Sequence, residues 1–315
     1  MTQNNLANIY TERIWGNKLQ NIENAIRFCQ QALEVYIHAS FPIDWAAAQV
    51  TLGNAYMQRI RGKREENIEF AIDVYRLSLE VYKSSTFPKQ WATVQNNLAM
   101  SYRCRLRGDR AENIESAIIT YKEALCVRTR ETYPVDWAMT QNNLGNAYSE
   151  RILGNTASNI ECAIDAYERA LEIRTYKASP VNWARTLSNL AIAYRKRING
   201  EAAKNIEISI NALKLSLKVR NREDLPIEWA ITQNNLSLAY LNRVEGSRKD
   251  NIESAKSACE AALEIYTQEQ NSHQWATAQN NLGFVYCERI KGNPVENINA
   301  TIKRMSEKYI LSIDM

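Results

Sequence analysis

Tryptophan returns at a fixed step along this chain: Trp45, Trp91, Trp137, Trp183, Trp229 and Trp275 stand 46 residues apart without slippage. The same step relates Leu6, Leu52, Leu98, Leu144, Leu190, Leu236 and Leu282, and it relates Tyr10, Tyr56, Tyr102, Tyr148, Tyr194, Tyr240 and Tyr286. Arg13, Gly16, Asn21 and Ile22 recur identically in all seven copies. A period of this length marks a solenoid, in which each unit exposes an apolar face that only a stacked neighbour can cover.

One unit shows why each copy is read as two helices. Trp137, Gln141, Leu144, Gly145, Tyr148 and Ile152 fall on one face at helical spacing. Pro134 and Asp136 precede them as start signals, and Gly154 is expected to end the segment in a left-handed cap. After a short polar loop, Asn159 is expected to be the N-cap of a second helix, with Glu161 in its first turn and near the positive end of its dipole. Ile160, Ala163, Ile164, Tyr167, Ala170 and Leu171 form the apolar stripe of that helix, and Pro180 stops it from continuing.

Leu144-Gly145-x-x-Tyr148 followed by Ala163-x-x-x-Tyr167-x-x-Ala170 resembles the tetratricopeptide signature, in which a small residue and an aromatic on helix A meet Ala, aromatic and Ala on helix B. The resemblance covers essentially the whole chain. It implies an all-α fold, a right-handed α-solenoid of stacked antiparallel hairpins, as a single repeat domain. Its units fall near residues 1–39, 40–85, 86–131, 132–177, 178–223, 224–270 and 271–315. The unit is twelve residues longer than the usual 34, so longer helices or loops are expected. Gln141 replaces the family's usual aromatic early in helix A. Long units with QNNLGNAY and PxxWA motifs resemble arrays of filamentous bacteria, notably cyanobacteria, often attached to caspase-like CHAT peptidases. Met1 to Leu6 align with Met139 to Leu144, which places the start inside a helix A; Met305, Lys308 and Tyr309 depart from the pattern of the last helix B. Neither end reads as a polar cap, so a longer ancestral array or self-association through the ends is expected.

Chemistry is constrained by what the chain offers. Two histidines, His38 and His273, are the only candidates for a His-based dyad, and neither lies near a nucleophile motif. Phosphate-loop, dinucleotide, zincin and nucleophile-elbow motifs are missing from the sequence. Cys29, Cys104, Cys126, Cys162, Cys259 and Cys287 form no CxxC pair and suit no metal site; reduced, mostly buried thiols are expected. With 39 basic against 35 acidic residues, charge is too balanced to imply nucleic acid by itself. No secretory signal opens the sequence and no apolar run spans a bilayer. The reading is a cytoplasmic, non-enzymatic scaffold with no catalytic residues, no cofactor and no metal.

The invariant columns read as structure: Leu, Tyr and Ile on packing stripes, and Trp as a core residue whose loss costs about 3–5 kcal/mol. The Arg column, for example Arg151, is expected to bond carbonyls or a helix B carboxylate such as Glu161. The opposite face of helix A, with Met139, Asn142, Asn143, Asn146, Ser149 and Glu150, forms a polar stripe. In tetratricopeptide proteins this face lines the concave groove, and the resemblance carries a peptide-gripping role onto Asn5, Asn97, Asn143, Asn189, Asn235 and Asn281; Thr51 departs from it. An amide offers both a donor and an acceptor to a ligand backbone; a solvated face or Asn–Asn bonding between units is the bland alternative. Ile192, Leu238 and Phe284 replace Asn8, Asn54 and Asn146, and with Ile231 and Leu241 they are expected to form an apolar patch. Arg103, Arg185, Arg195 and Lys196 place positive charge in the middle. The expected ligand is a peptide or protein segment with apolar anchors and an acidic residue. A regulatory arm for a separately encoded CHAT-type peptidase is the alternative; single-stranded RNA is disfavoured, because the changing positions include Ile, Leu, Phe and Glu.

Overall fold

The computed structural model describes residues 2–13 and 15–289, with Glu296 and Asn299. Among the described residues it contains thirteen α-helices and no strand. They are α1 (Thr2–Glu12), α2 (Lys18–Val35), α3 (Pro42–Gln58), α4 (Arg64–Val81), α5 (Pro88–Cys104), α6 (Arg110–Val127), α7 (Pro134–Ser149), α8 (Thr156–Ile173), α9 (Pro180–Lys196), α10 (Ala202–Leu217), α11 (Pro226–Leu241), α12 (Arg248–Leu263) and α13 (Ser272–Glu288). Odd-numbered helices are A and even-numbered ones are B. The fold is an all-α solenoid of antiparallel hairpins; Met305, Lys308 and Tyr309 lie outside the described residues.

The chain divides into two compact units, residues 1–159 and 160–315, with the boundary inside α8. In the first, α1–α2, α3–α4 and α5–α6 form hairpins, and each helix B also packs against the next helix A. In the second, α9–α10 and α11–α12 repeat the arrangement and α12 meets α13. Within each unit consecutive A helices approach within 8 Å between Cα atoms, whereas the B helices α2 and α4, α4 and α6, and α10 and α12 do not. The A helices therefore line the inner side of each curve.

Helix starts follow from backbone chemistry. Pro42, Pro88, Pro134, Pro180 and Pro226 each open a helix A, where the missing N–H falls on a position without an intrahelical acceptor. Helix B buries Ile22, Ile68, Ile114 and Ile252 to 1 % exposure or less, with Tyr75 and Tyr121 fully enclosed. One close approach explains a small residue on helix A: a Cβ on Gly53 would stand 2.6 Å from Cε1 of Tyr75. The Trp column departs from expectation. Each of its six rings is half-buried at the margin of the core, because Trp stands in the first turn of helix A.

The A-to-B turn is one framework repeated. Gly154 has the left-handed φ of +81°, as do its counterparts, but it lies beyond the C-cap Glu150 and shapes the connection instead of ending the helix. Ile152 also lies past the helix and is 60 % exposed. The N-cap position belongs to Asn155, whose Oδ1 accepts from the Ser158 amide at 3.0 Å, not to Asn159. Asn159 is buried within the helix and donates from Nδ2 to Leu153 O at 2.9 Å, occupying a turn carbonyl that burial would otherwise leave without a donor. Asn67, Asn113, Asn205 and Asn251 do the same for Arg61, Arg107, Asn199 and Glu245 at 2.7–2.9 Å.

The Arg column pairs backwards. Arg151 makes a two-pronged bond to Glu115, at 2.6 and 2.8 Å, while Glu161 receives Arg197. The partner carboxylate sits 36 residues before its Arg, in the preceding helix B; Arg59–Glu23, Arg105–Glu69, Arg243–Glu207 and Arg289–Glu253 follow the rule. Glu161 thus lies in the second turn of α8 and serves the next turn, not its own helix start. The thiols also differ from expectation: Cys29 and Cys259 are buried, with burial pushing Cys29 up to about 12, but Cys126, Cys162 and Cys287 are exposed.

Candidate functional site: the inner face of the A helices

Three of the amides expected to face a ligand, Asn97, Asn143 and Asn281, join neighbouring A helices instead. Asn97 donates to Asn54 Oδ1 at 3.0 Å and accepts from Asn96 Nδ2 at 3.2 Å. Asn143 donates to Asn96 Oδ1 at 3.3 Å, and Asn281, itself buried, donates to Asn234 Oδ1 at 3.0 Å. Thr51, the exception in the column, substitutes its hydroxyl and donates to Asn8 Oδ1 at 2.9 Å. Asn142 is only 3 % exposed, which removes it from any open surface. Asn146, Asn189 and Asn235 are half-buried and Asn5 is exposed. A helical wheel shows the direction of each amide but not the closeness of the next A helix, and that closeness decides its partner.

The predicted charges separate into different roles. Arg103 bonds Glu150, which also receives Arg110 from the start of α6, so this charge is matched within the turn framework. Arg185 and Lys196 are exposed on α9. Arg195 is half-buried, and its removal from water lowers its pKa. Of the apolar set, Phe284 is 49 % and Ile231 38 % exposed, Ile192 and Leu238 are half-buried, and Leu241 packs against the Ile252–Leu282 core.

One column of the inner face was not anticipated. At the end of each helix B the chain places Tyr36, Tyr82, Arg128, Arg174, Arg220 and Tyr266, one per repeat. The three arginines are 2–8 % exposed. Arg128 reaches between two A helices, bonding Thr93 and Thr140 hydroxyls at 3.0 Å each. Arg174 bonds Thr186 at 3.1 Å; Arg220 bonds Thr232 and Ser188 at 3.0 Å. Burial lowers all three pKa values, Arg174 to about 10 with Arg185 contributing repulsion. The residue twelve positions on changes in step: Ala48, Val94 and Ala278 follow the tyrosines, whereas Thr140, Thr186 and Thr232 follow the arginines. A buried guanidinium needs an acceptor that a phenol in the same place does not. This covariation between repeats is the signal by which the column is legible in sequence. Tyr82 donates instead to Ile43 O at 3.2 Å.

Stacked antiparallel hairpins, with consecutive A helices in contact within each unit and a small residue on helix A against an aromatic on helix B, define a tetratricopeptide-like repeat fold. Two solved structures share it. The chain superposes on one chain of the APC/C hetero-tetramer Cut9-Hcn1 with a TM-score of 0.58 and 17% identity, over 90% of this chain and 46% of that one. On the apo form of RapI it superposes with a TM-score of 0.59 and 13% identity, over 100% of this chain and 77% of that one. The chain thus spans about half the length of the matched chain in the first of these. No protein-family profile matches the sequence, and no curated protein does either. Among the described residues no helix is long and apolar enough to cross a membrane.

Proposed function

We propose that the chain is a non-enzymatic interaction scaffold that holds a segment of a protein partner along the inner face of its A helices. The observation that carries this reading is where the repeats differ. The turn framework is the same in the five turns from Arg59 to Arg243, while inner-face positions change chemistry from repeat to repeat. Thr93, Met139, Arg185, Ile231 and Thr277 share one position, and Asn54, Met100, Asn146, Ile192, Leu238 and Phe284 share another. A surface that is regular in shape and irregular in side chains suits a non-repeating ligand. The exposed Phe284 and Ile231 offer apolar anchors, and Arg185 and Lys196 offer charge for an acidic residue. The alternative reading, resting on the resemblance of the long-unit motifs, makes the chain a cytoplasmic recognition arm for a separately encoded CHAT-type peptidase.

The test is a display selection of 16-residue segments against the full chain, followed by affinity measurement on Arg185→Glu/Ile231→Asp/Phe284→Asp. Circular dichroism verifies that the variant keeps its helices. Segments that bind the wild type and lose at least about tenfold in the variant support the inner-face reading. Segments that bind both equally well sink it.

A further inference from the structure

Two cavities open on the inner face, one inside each unit. The first, of about 370 Å³, lies among α1, α3 and α5; the second, of about 200 Å³, lies between α11 and α13. Every residue lining the second has its counterpart 184 positions, four periods, earlier in the lining of the first. Both stand where helix B ends in tyrosine, Tyr82 in one and Tyr266 in the other. Between α5 and α7 the Arg128 guanidinium occupies the equivalent level.

The mouths of the two cavities share a second departure from the other repeats. Near the start of helix A, Ile43, Val135, Val181 and Ile227 give way to Lys89 and His273 at the cavities alone. The next residue is Asp44, Asp136, Asn182 or Glu228 elsewhere, but Gln90 and Gln274 here. A nitrogen base is gained and an acidic or amide residue becomes glutamine at both cavities together, and Thr93 and Thr277 add matching hydroxyls. Both bases also sit in the first turn of a helix, where the dipole favours an anion.

We infer that each cavity receives a carboxylate side chain, Glu or Asp, from the bound segment. Lys89 or His273 donates to the carboxylate and the glutamine amide donates a second hydrogen bond, above the tyrosine ring; the Thr93 and Thr277 hydroxyls line the cavities but donate to Lys89 O at 2.9 Å and His273 O at 2.8 Å. This inference rests on the inner-face reading proposed above and names two of its subsites.

The chain has two histidines, so ring-labelled protein reports the second cavity directly by NMR. His273 lines the cavity, whereas the His38 ring lies 4.7 Å from that of Trp45 and serves as an internal control. The probes are acetyl-Ala-Glu-Ala-amide and its glutamine counterpart. The glutamate peptide is expected to move the His273 resonances and leave those of His38 in place. The glutamine peptide is expected to move neither, and Gln274→Glu to weaken the response at least about tenfold by placing like charges together. A His273 signal that stays still at about 10 mM glutamate peptide, or that answers both peptides alike, overturns the inference. The two readings fail separately. Selected segments that lose binding in Arg185→Glu/Ile231→Asp/Phe284→Asp but keep it in Lys89→Glu and Gln274→Glu leave the inner-face reading standing and remove the carboxylate subsites. Segments indifferent to all of these substitutions remove both.

Discussion

The outer turns and the inner column of helix B ends obey opposite rules. In the five turns from Arg59 to Arg243 the same bonds recur: a left-handed glycine, a buried asparagine on a turn carbonyl and an arginine on the carboxylate 36 residues back. At the inner column the chain uses a phenol in three repeats and a guanidinium in three, and the neighbour twelve residues on changes with it. The difference teaches where this fold tolerates variation. The turn bonds fix the spacing of hairpins and have one good solution. The inner column has two, each self-consistent in hydrogen bonding, and the choice between them decides which groups face the groove.

The largest expected effect comes from mixing the two solutions. Tyr82→Arg places a guanidinium beside Val94, which stands where Thr140 meets Arg128, and should destabilise by about 3–5 kcal/mol in chemical denaturation. Adding Val94→Thr should recover about half of that loss; no recovery would mean that the covariation is not a bonding partnership. Next comes the constancy of the turns. Asn159→Ala leaves Leu153 O without its donor and should cost about 2 kcal/mol, and Asn67→Ala and Asn205→Ala should cost the same within about 0.5 kcal/mol. A wide spread among the three in thermal unfolding would break the claim that the turns are equivalent.

The smallest effect is electrostatic. The hydrogen bond from its arginine holds each of Glu23, Glu69, Glu115 and Glu161 below the usual carboxylate pKa. A carboxylate with a lowered folded pKa stabilises fully above its ordinary value of 4.5, and the contribution disappears as pH falls through the lowered one. Stability should therefore be flat from neutral pH to about 5 and decline below it. Glu115→Gln should cost about 1 kcal/mol at pH 7 and show a shallower acid decline, measured by unfolding midpoints at a series of pH values.

The fold was legible because repetition tests each inference several times. The stripe Ile160, Ala163, Ile164, Tyr167 and Ala170 is buried as the spacing demands. Single residues were harder. Asn159 carries an N-cap side chain, yet Asn155 starts the helix, because any of several polar residues satisfies a cap and periodicity does not say which. The Arg151 partner was misplaced by one repeat, since sequence shows the carboxylate column but not whether a turn leans forward or back. The inner-face amides pointed where the wheel predicts but met the neighbouring A helix at 3.0–3.3 Å, a distance no single repeat encodes.

From Arg59 to Arg289 each turn arginine reaches the hairpin immediately before it. In a gene, that makes the 46-codon stretch a movable cassette. In-frame recombination between two similar stretches, whether it deletes a copy or duplicates one, leaves each new junction with an arginine facing a glutamate in the right place. Such a lineage can lengthen, shorten or reshuffle its binding surface in one genetic event without a compensating mutation in the chassis.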